Sequence, residues 1–215
     1  MKSIRLIIFD LDGTLVNTLE DISHSVNFTL GRLGRPLLHL DTVRQYVGDG
    51  LEMLLTRALG GHAGLIEEAK SIYTDHQKRN LVVSSRLYPG VQETLEHFRS
   101  LPMAVVTNKT LEFSEPLLEQ LGIRSYFGMV IGADAGLPLK PAPDAFLSIM
   151  NRLAVPKEYT AVVGDGTTDI FAGKAAGITT CAVTYGFRSE QELRKAGPDH
   201  VIHAFAELRG LFAAG

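Results

Sequence analysis

In the second half of the chain, short and continuously apolar runs alternate with helix-like segments. The apolar runs occupy residues 103–106, 128–131, 160–163 and 180–183. Strands that are buried on both faces are apolar throughout, and a helix between two strands is the usual crossover in a parallel sheet. The alternation therefore predicts an α/β fold in which helices cover both faces of a Rossmann-like parallel sheet.

The stretch from about residue 18 to residue 80 has a helical pattern only. Its first segment carries apolar residues at three- and four-residue steps: Leu19, Ile22, Val26, Leu30 and Leu33. The apolar run 4–9 before it cannot bury itself alone, so it must join the same sheet as the later strands. We therefore predict a discontinuous core domain, residues 1–16 and 87–215, with an inserted all-helical cap domain, residues 17–86.

The composition limits the partners and the compartment. The chain of 215 residues has a net charge of −3 and no Trp, so we expect no nucleic-acid partner. No apolar run approaches the ~20 residues that cross a bilayer, and the first strand leaves no room for a signal peptide. A single Cys fits a reducing compartment. We expect a cytoplasmic protein with no membrane partner, as a monomer or a small homo-oligomer.

Polar side chains follow the predicted strands at the edge where an open parallel sheet binds its ligands. They are Asp10 and Asp12 after the first strand, Thr107, Asn108 and Lys109 after residues 103–106, and Asp165 and Asp169 after residues 160–163. Gly13 follows Asp12 directly, and Lys140 lies in a further loop before a helix. Carboxylates, a hydroxyl group and an ammonium group together suit Mg²⁺ and a phosphoryl group. A glycine beside them lets a ligand approach the backbone closely.

Each of these segments also has an ordinary structural interpretation. Thr107 and Asn108 could cap a helix, and Lys140 could be a surface lysine before a turn. Asp165 and Asp169 could be acids of a turn and a helix start. Their joint occurrence at the ends of predicted strands favours a functional site.

The order of the motifs resembles the haloacid dehalogenase superfamily of phosphohydrolases. The motifs are Asp10-x-Asp12-Gly13-Thr14, Thr107-Asn108, Lys140-Pro141, and Gly164-Asp165 followed by Asp169. The helical insertion occupies the position of the superfamily's cap, between the first two motifs. Within the superfamily, the chain is most similar to phosphoglycolate phosphatases, on residues 47–51, 106–109 and 140–144.

The resemblance implies a role for each motif. It makes Asp10 the nucleophile that becomes an aspartyl phosphate, and Asp12 the acid and base that serves the leaving group and then water. It implies Mg²⁺ as the cofactor. The implied metal ligands are Asp10, the backbone carbonyl of Asp12, Asp165 and Asp169, the last directly or through water. The implied phosphate-binding groups are Thr107, the backbone N–H of Asn108, Lys140 and Gly13, and the cap loop of Gly48 and Asp49 would contact the substrate.

The implied substrate is a small phosphate monoester, with 2-phosphoglycolate as the most specific expectation. The carboxylate of Asp49 in the cap loop would repel the carboxylate of that substrate. Arg44, Arg57 and Lys109 are the candidates for the cation that it needs, and the sequence does not place them.

Other functions remain open at this point. A sugar phosphatase, a pyrophosphatase, a nucleotidase, a phosphomutase or a phosphonate hydrolase could use the same motifs. A receiver-like signalling protein also places acids, a Thr and a Lys on a parallel sheet, but it lacks a helical insertion and is shorter than this chain.

Overall fold

The computed structural model describes residues 1–214. Its strands are β1 (Lys2–Ile4), β2 (Leu6–Phe9), β3 (Val16–Asn17), β4 (Arg86–Leu87), β5 (Met103–Val106), β6 (Met129–Ile131), β7 (Thr160–Gly164), β8 (Thr179–Val183), β9 (His200–Ile202) and β10 (Phe212–Ala214). Its α-helices are α1 (Leu19–Arg32), α2 (Leu40–Tyr46), α3 (Leu51–Ala58), α4 (Ile66–Arg79), α5 (Val91–His97), α6 (Leu111–Gln120), α7 (Asp144–Leu153), α8 (Thr167–Ala176), α9 (Glu190–Ala196) and α10 (Leu208–Leu211).

Six strands form one parallel sheet in the order β6-β5-β2-β7-β8-β9. The N-terminal strand β2 lies in the middle, hydrogen-bonded to β5 on one side and β7 on the other. Its side chains alternate between two apolar cores, Ile7 and Phe9 in one, Leu6 and Ile8 in the other, because successive residues of a strand point to opposite faces. The predicted α/β fold with helices on both faces is confirmed.

The stretch between β3 and β4 holds the four helices α1 to α4, and we call residues 18–85 the helical insertion. The apolar stripe of α1 is buried, with Ile22, Val26 and Leu30 at most 3% exposed. These residues belong to the same continuous apolar cluster as Phe9 of the sheet. The apolar core of the insertion is therefore continuous with that of the sheet. The division into core and cap domains stays a prediction.

The two strands that enter and leave the insertion pair with each other. Val16 of β3 is opposite Leu87 of β4 in an antiparallel pair. Just beyond this pair, the carboxylate of Asp21 accepts hydrogen bonds from the backbone N–H groups of Val83, Ser84 and Ser85 and from the Ser85 hydroxyl group, at 2.6–3.1 Å. Asp21 is 2% exposed, so this buried carboxylate fastens the start of α1 to the returning chain.

Several elements differ from the expectation. The run 4–9 is broken at Arg5, so that β1 leaves the main sheet and pairs with β10. The helix-like pattern of residues 91–101 also predicts a helix of that length, but α5 ends at His97. The chain turns there, and the Leu101 N–H donates to the Phe98 carbonyl oxygen ahead of Pro102. The short elements α2 and β9 each bury only one residue, so neither shows the periodic apolar pattern from which a helix or strand can be predicted. In the described chain, no helix combines the length and apolarity of a membrane span.

The substitution Asp21→Asn should lower the free energy of unfolding by about 2 kcal/mol, because an amide cannot accept all the hydrogen bonds of the buried carboxylate. Burial raises the pKa of Asp21, but the hydrogen bonds from Ser85, Ser84 and Val83 outweigh it and hold this pKa below its ordinary value of 3.8. A lowered folded-state pKa contributes stability above the unfolded pKa, and this contribution disappears as the pH falls through the folded value.

Urea unfolding at pH 7 and at pH 3 checks this prediction. The difference in stability between wild type and Asp21→Asn should shrink at the lower pH. An equal difference at both pH values would contradict the role of the charged carboxylate.

Candidate active site

The parallel sheet brings the first, second and fourth motifs to one edge. Asp10 follows β2, Thr107 follows β5 and Asp165 follows β7, and the three strands are adjacent. Rigid strand ends hold these side chains within reach of one another. The structure thus places the predicted site residues of the three motifs together.

Lys140 reaches this edge from the loop before α7. Its ammonium group lies 2.8 Å from Asp10 Oδ1 and 2.6 Å from Asp169 Oδ1, and it donates a third hydrogen bond, 2.8 Å long, to the Val106 carbonyl oxygen. An ammonium group has three donors, and all three are used. Lys140 is 5% exposed, so the interpretation as a surface lysine before a turn is wrong.

Three carboxylates surround a potential cation position. Asp10, Asp165 and Asp169 each offer one oxygen atom, and these atoms lie within 4.8 Å of one another. Asp165 is oriented by the Thr14 hydroxyl group at 3.0 Å and by the Phe187 N–H at 2.7 Å. A compact set of oriented oxygen ligands suits a hard divalent cation.

The charge of this cluster is not balanced by Lys140 alone. Burial raises the pKa of Asp10 to about 8, with Asp169 and Asp165 adding to the shift and Lys140 opposing it. Burial also raises the pKa of Asp165 to about 7, against the hydrogen bond from Phe187. Both shifts report excess negative charge in a buried place, and a bound divalent cation would relieve it.

Asp169 has both carboxylate oxygens engaged by the protein. Oδ1 contacts Lys140, and Oδ2 accepts a hydrogen bond of 3.0 Å from the Gly166 N–H. Gly166 stands where the family pattern often has Ser or Thr, and its backbone N–H still orients the carboxylate. This geometry favours contact of Asp169 with a cation through water.

The Asp12 side chain lies outside the carboxylate cluster. Its two oxygens are each 3.1 Å from Lys109 Nζ, and Oδ1 also accepts a hydrogen bond of 2.6 Å from the Thr18 hydroxyl group. These contacts hold the Asp12 carboxylate toward the helical insertion. Its predicted metal contact through the backbone carbonyl stays a prediction.

Asn108 connects the site loops to the insertion. Its amide group donates to the carbonyl oxygens of Lys140 at 3.0 Å and of Gly48 at 2.9 Å, and its Oδ1 accepts from the Lys140 N–H at 3.0 Å. Thr110, not Thr107 or Asn108, occupies the N-cap position of α6. The helix-cap interpretation of Thr107 and Asn108 is therefore wrong.

The predicted contact loop of the insertion lies over the sheet edge. Two cavities adjoin Asp10 and Asp12, and Gly48 lines both of them. Asp49 lines only one of the two cavities, and its carboxylate pairs with Arg57 at 2.6 Å. This pairing neutralises the acid that the sequence left unexplained.

One loop at the site was missed from the sequence. The segment after β8 contributes the Phe187 N–H to Asp165 and the Arg188 guanidinium group to the carbonyl oxygens of Arg44 and Val47 in the insertion. A Cβ atom on Gly186 would lie 2.5 Å from the Gly13 carbonyl oxygen and closer still to the Asp165 carboxylate. Applying the strand-end rule to residues 180–183 would have found this loop.

A family model described as haloacid dehalogenase-like hydrolase matches residues 7–183. The chain belongs to this family. Phosphoglycolate phosphatase of Pseudomonas putida is 38% identical over 218 aligned residues, which cover 96% of this chain and 78% of that protein. Phosphoglycolate phosphatase of Colwellia psychrerythraea is 35% identical, with 95% of each chain covered.

The solved structures agree with the sequence relatives. A protein of Haemophilus somnus 129PT, described as a predicted phosphoglycolate phosphatase, superposes with a TM-score of 0.93 at 31% identity, covering 98% of this chain and 99% of that one. The haloacid dehalogenase resemblance and its fold are confirmed. Together with the family match, these relatives make the protein a phosphoric monoester hydrolase.

Substituting Gly186→Ala should reduce kcat/KM at least ~10-fold and lower the free energy of unfolding by about 2 kcal/mol, because the added methyl group collides with Asp165 and the Gly13 carbonyl. Gly210→Ala is the matched control, since a Cβ atom there has no neighbour within 4 Å. Steady-state kinetics and urea unfolding on both variants check the prediction. Wild-type kinetics in Gly186→Ala would contradict it.

Proposed function

We propose that the protein is a Mg²⁺-dependent phosphatase of a small phosphate monoester and works through an aspartyl phosphate on Asp10. The preferred substrate would be 2-phosphoglycolate, which is hydrolysed to glycolate and phosphate. One observation carries the chemistry: Lys140 holds Asp10 beside Asp165 and Asp169 in a buried cluster. The names of the relatives support the substrate.

The donor set fits Mg²⁺. In this proposal Asp10, Asp165 and the backbone carbonyl of Asp12 hold the ion, and Asp169 holds it through water. Mg²⁺ prefers oxygen ligands and keeps several of its waters, so a few carboxylates suffice. When bound, the cation neutralises the phosphoryl oxygens as charge develops on them.

The contacts of Asp10 favour one of its oxygens as the nucleophile. Within the described chain, its hydrogen bonds from the Leu11 N–H, at 2.7 Å, and from Lys140 both involve Oδ1. Oδ2 is then the atom that attacks phosphorus, and the bond from phosphorus to the ester oxygen breaks. Lys140, the Thr107 hydroxyl group, the Asn108 backbone N–H and Gly13 would hold the phosphoryl oxygens. The missing side chain of Gly13 also leaves room for the Asp165 carboxylate.

Asp12 is placed to move the protons. It would donate a proton to the departing ester oxygen and then take a proton from the water that attacks the aspartyl phosphate. The phosphoryl group leaves as inorganic phosphate, and Asp10 returns to its starting state. A general acid needs hydrogen-bond reach to the leaving oxygen, and the Asp12 carboxylate lines the same pocket as Asp10 and Thr107.

The predicted division of the chain belongs to this proposal. Residues 17–86 would act as a cap domain on the core of residues 1–16 and 87–215, closing over the site and excluding bulk water. The paired strands β3 and β4 lie at both boundaries. The Gly48–Asp49 loop would then contact the leaving group in the closed state.

The variant Asp10→Asn should lower kcat at least ~10⁴-fold, because an amide is a very weak nucleophile. Its melting temperature without added metal should equal or exceed that of wild type, since the substitution removes one of several crowded buried acids. Circular dichroism melting and phosphate release check both parts. Residual activity above ~1% would remove Asp10 as the nucleophile.

The substrate proposal is tested by phosphate release from a panel of esters, with and without Mg²⁺. The panel holds 2-phosphoglycolate, p-nitrophenyl phosphate, pyrophosphate, a hexose phosphate and a nucleoside monophosphate. We expect Mg²⁺-dependent release with the highest kcat/KM for 2-phosphoglycolate. A higher value for another ester would keep the chemistry and discard this substrate, and exchange without net phosphate release would favour a phosphomutase.

A further inference from the structure

We infer that the Lys109 ammonium group binds a carboxylate on the leaving group and thereby selects short acidic phosphate esters. This inference rests on the proposed function and deepens it by naming the residue that recognises the substrate. In the protein without substrate, the Lys109 ammonium group forms an ion pair with the Asp12 carboxylate. The substrate carboxylate would become a second partner of the same ammonium group.

The pocket beside Asp12 is small and mostly apolar. It has a volume of about 70 Å³, which is room for a few water molecules. The apolar side chains that line it are Ile22, Val47, Leu51, Leu54, Tyr73 and Phe113. Within the described chain, Lys109 is the one cationic residue that lines this pocket. A leaving group that enters here meets mostly hydrocarbon, and the charged groups that line the pocket are Asp10, Asp12 and Lys109.

The distance between Asp12 and Lys109 sets the length of the favoured ester. Asp12 must contact the ester oxygen at ~3 Å in order to protonate it. Lys109 Nζ is 3.1 Å from both Asp12 oxygens, so a group attached one carbon away from that ester oxygen comes within its reach. In 2-phosphoglycolate a single methylene group separates the ester oxygen from the carboxylate. A longer acid would carry its charge beyond Lys109, into a pocket whose other lining side chains are mostly apolar.

The other cations near the site are already engaged. Arg57 pairs with Asp49 at 2.6 Å and donates to the Tyr46 carbonyl oxygen at 3.1 Å. Arg188 donates to two backbone carbonyl oxygens of the insertion, and all three donors of Lys140 are used.

Lys109 keeps capacity for a second anion. Its ammonium contacts within residues 1–214 are both with the Asp12 carboxylate, and an ammonium group has three donors. The side chain is only 10% exposed, so water screens the new ion pair weakly. A carboxylate that binds here replaces no existing protein contact.

The test compares two esters with the same two-carbon chain, 2-phosphoglycolate and ethyl phosphate, in which a methyl group replaces the carboxylate. Lys109→Met should lower the ratio of their kcat/KM values about 100-fold, mostly through KM for 2-phosphoglycolate. Because Lys109 also contacts Asp12, both esters can lose rate through Asp12, but that shared loss cancels in the ratio. An unchanged ratio would overturn the inference.

Two further variants sharpen the result. Lys109→Arg retains the charge and should recover part of the lost preference for the acid. Arg57→Met removes a competing cation near the site and should leave the ratio within about threefold of wild type. A collapse of the ratio in Arg57→Met, with the ratio preserved in Lys109→Met, would assign the carboxylate to Arg57 and overturn the inference.

A measurement on wild type alone covers the case in which the Lys109 variants fail to fold. The preference for a carboxylate over a methyl group should be larger in the two-carbon pair than in the pair of 3-phosphooxypropanoate and propyl phosphate. An equal or larger preference in the longer pair would overturn the inference. Wild type that hydrolyses ethyl phosphate without preferring 2-phosphoglycolate would overturn the proposed substrate as well, whereas a wild-type preference that survives Lys109→Met overturns the inference alone.

Discussion

The contact of Lys140 with Asp10 and Asp169 is the interaction on which the site depends. Burial alone would lower the pKa of Lys140, but Asp10 and Asp169 raise it above its ordinary range, so the ammonium group stays charged between them. A buried charge is tolerated only when it is paired and hydrogen-bonded. Lys140 has three partners, and Asn108 fixes its backbone with two hydrogen bonds. This lysine therefore lets acids from two neighbouring strand ends share one buried edge.

The same hydrogen bonds connect the site to the helical insertion. Asn108 reaches from the Lys140 backbone to the Gly48 carbonyl oxygen, and Arg188 reaches from the loop after β8 to two carbonyl oxygens at the end of α2. Asp21 fastens α1 to the chain that returns to the sheet. Asn108, which fixes the backbone of Lys140, therefore also holds the Gly48 loop of the insertion above the site. Motion of the insertion would therefore act on Asn108 and Arg188.

The sheet and the residues at its edge were predictable because both depend on local sequence. Continuous apolar runs identify parallel strands, and the strand-end rule then places Asp10, Thr107 and Asp165 together. The features that could not be predicted from the sequence depend on contacts between segments that are distant along the chain. Asp21 reads as an ordinary acid in the first turn of a helix, yet it binds residues 83–85, which are more than sixty positions away. The Asp12–Lys109 pair joins two motifs whose relative orientation no spacing reveals.

The central claim is that phosphate passes through Asp10, and trapping the enzyme during turnover tests it most directly. The protein would be mixed with 2-phosphoglycolate or p-nitrophenyl phosphate and Mg²⁺, quenched in acid at times shorter than one turnover, and digested for mass spectrometry. The account predicts a phosphoryl group on the peptide that carries Asp10, and none on that peptide in Asp10→Asn. A phosphoryl group on another side chain, or none on any peptide at these times, would contradict it.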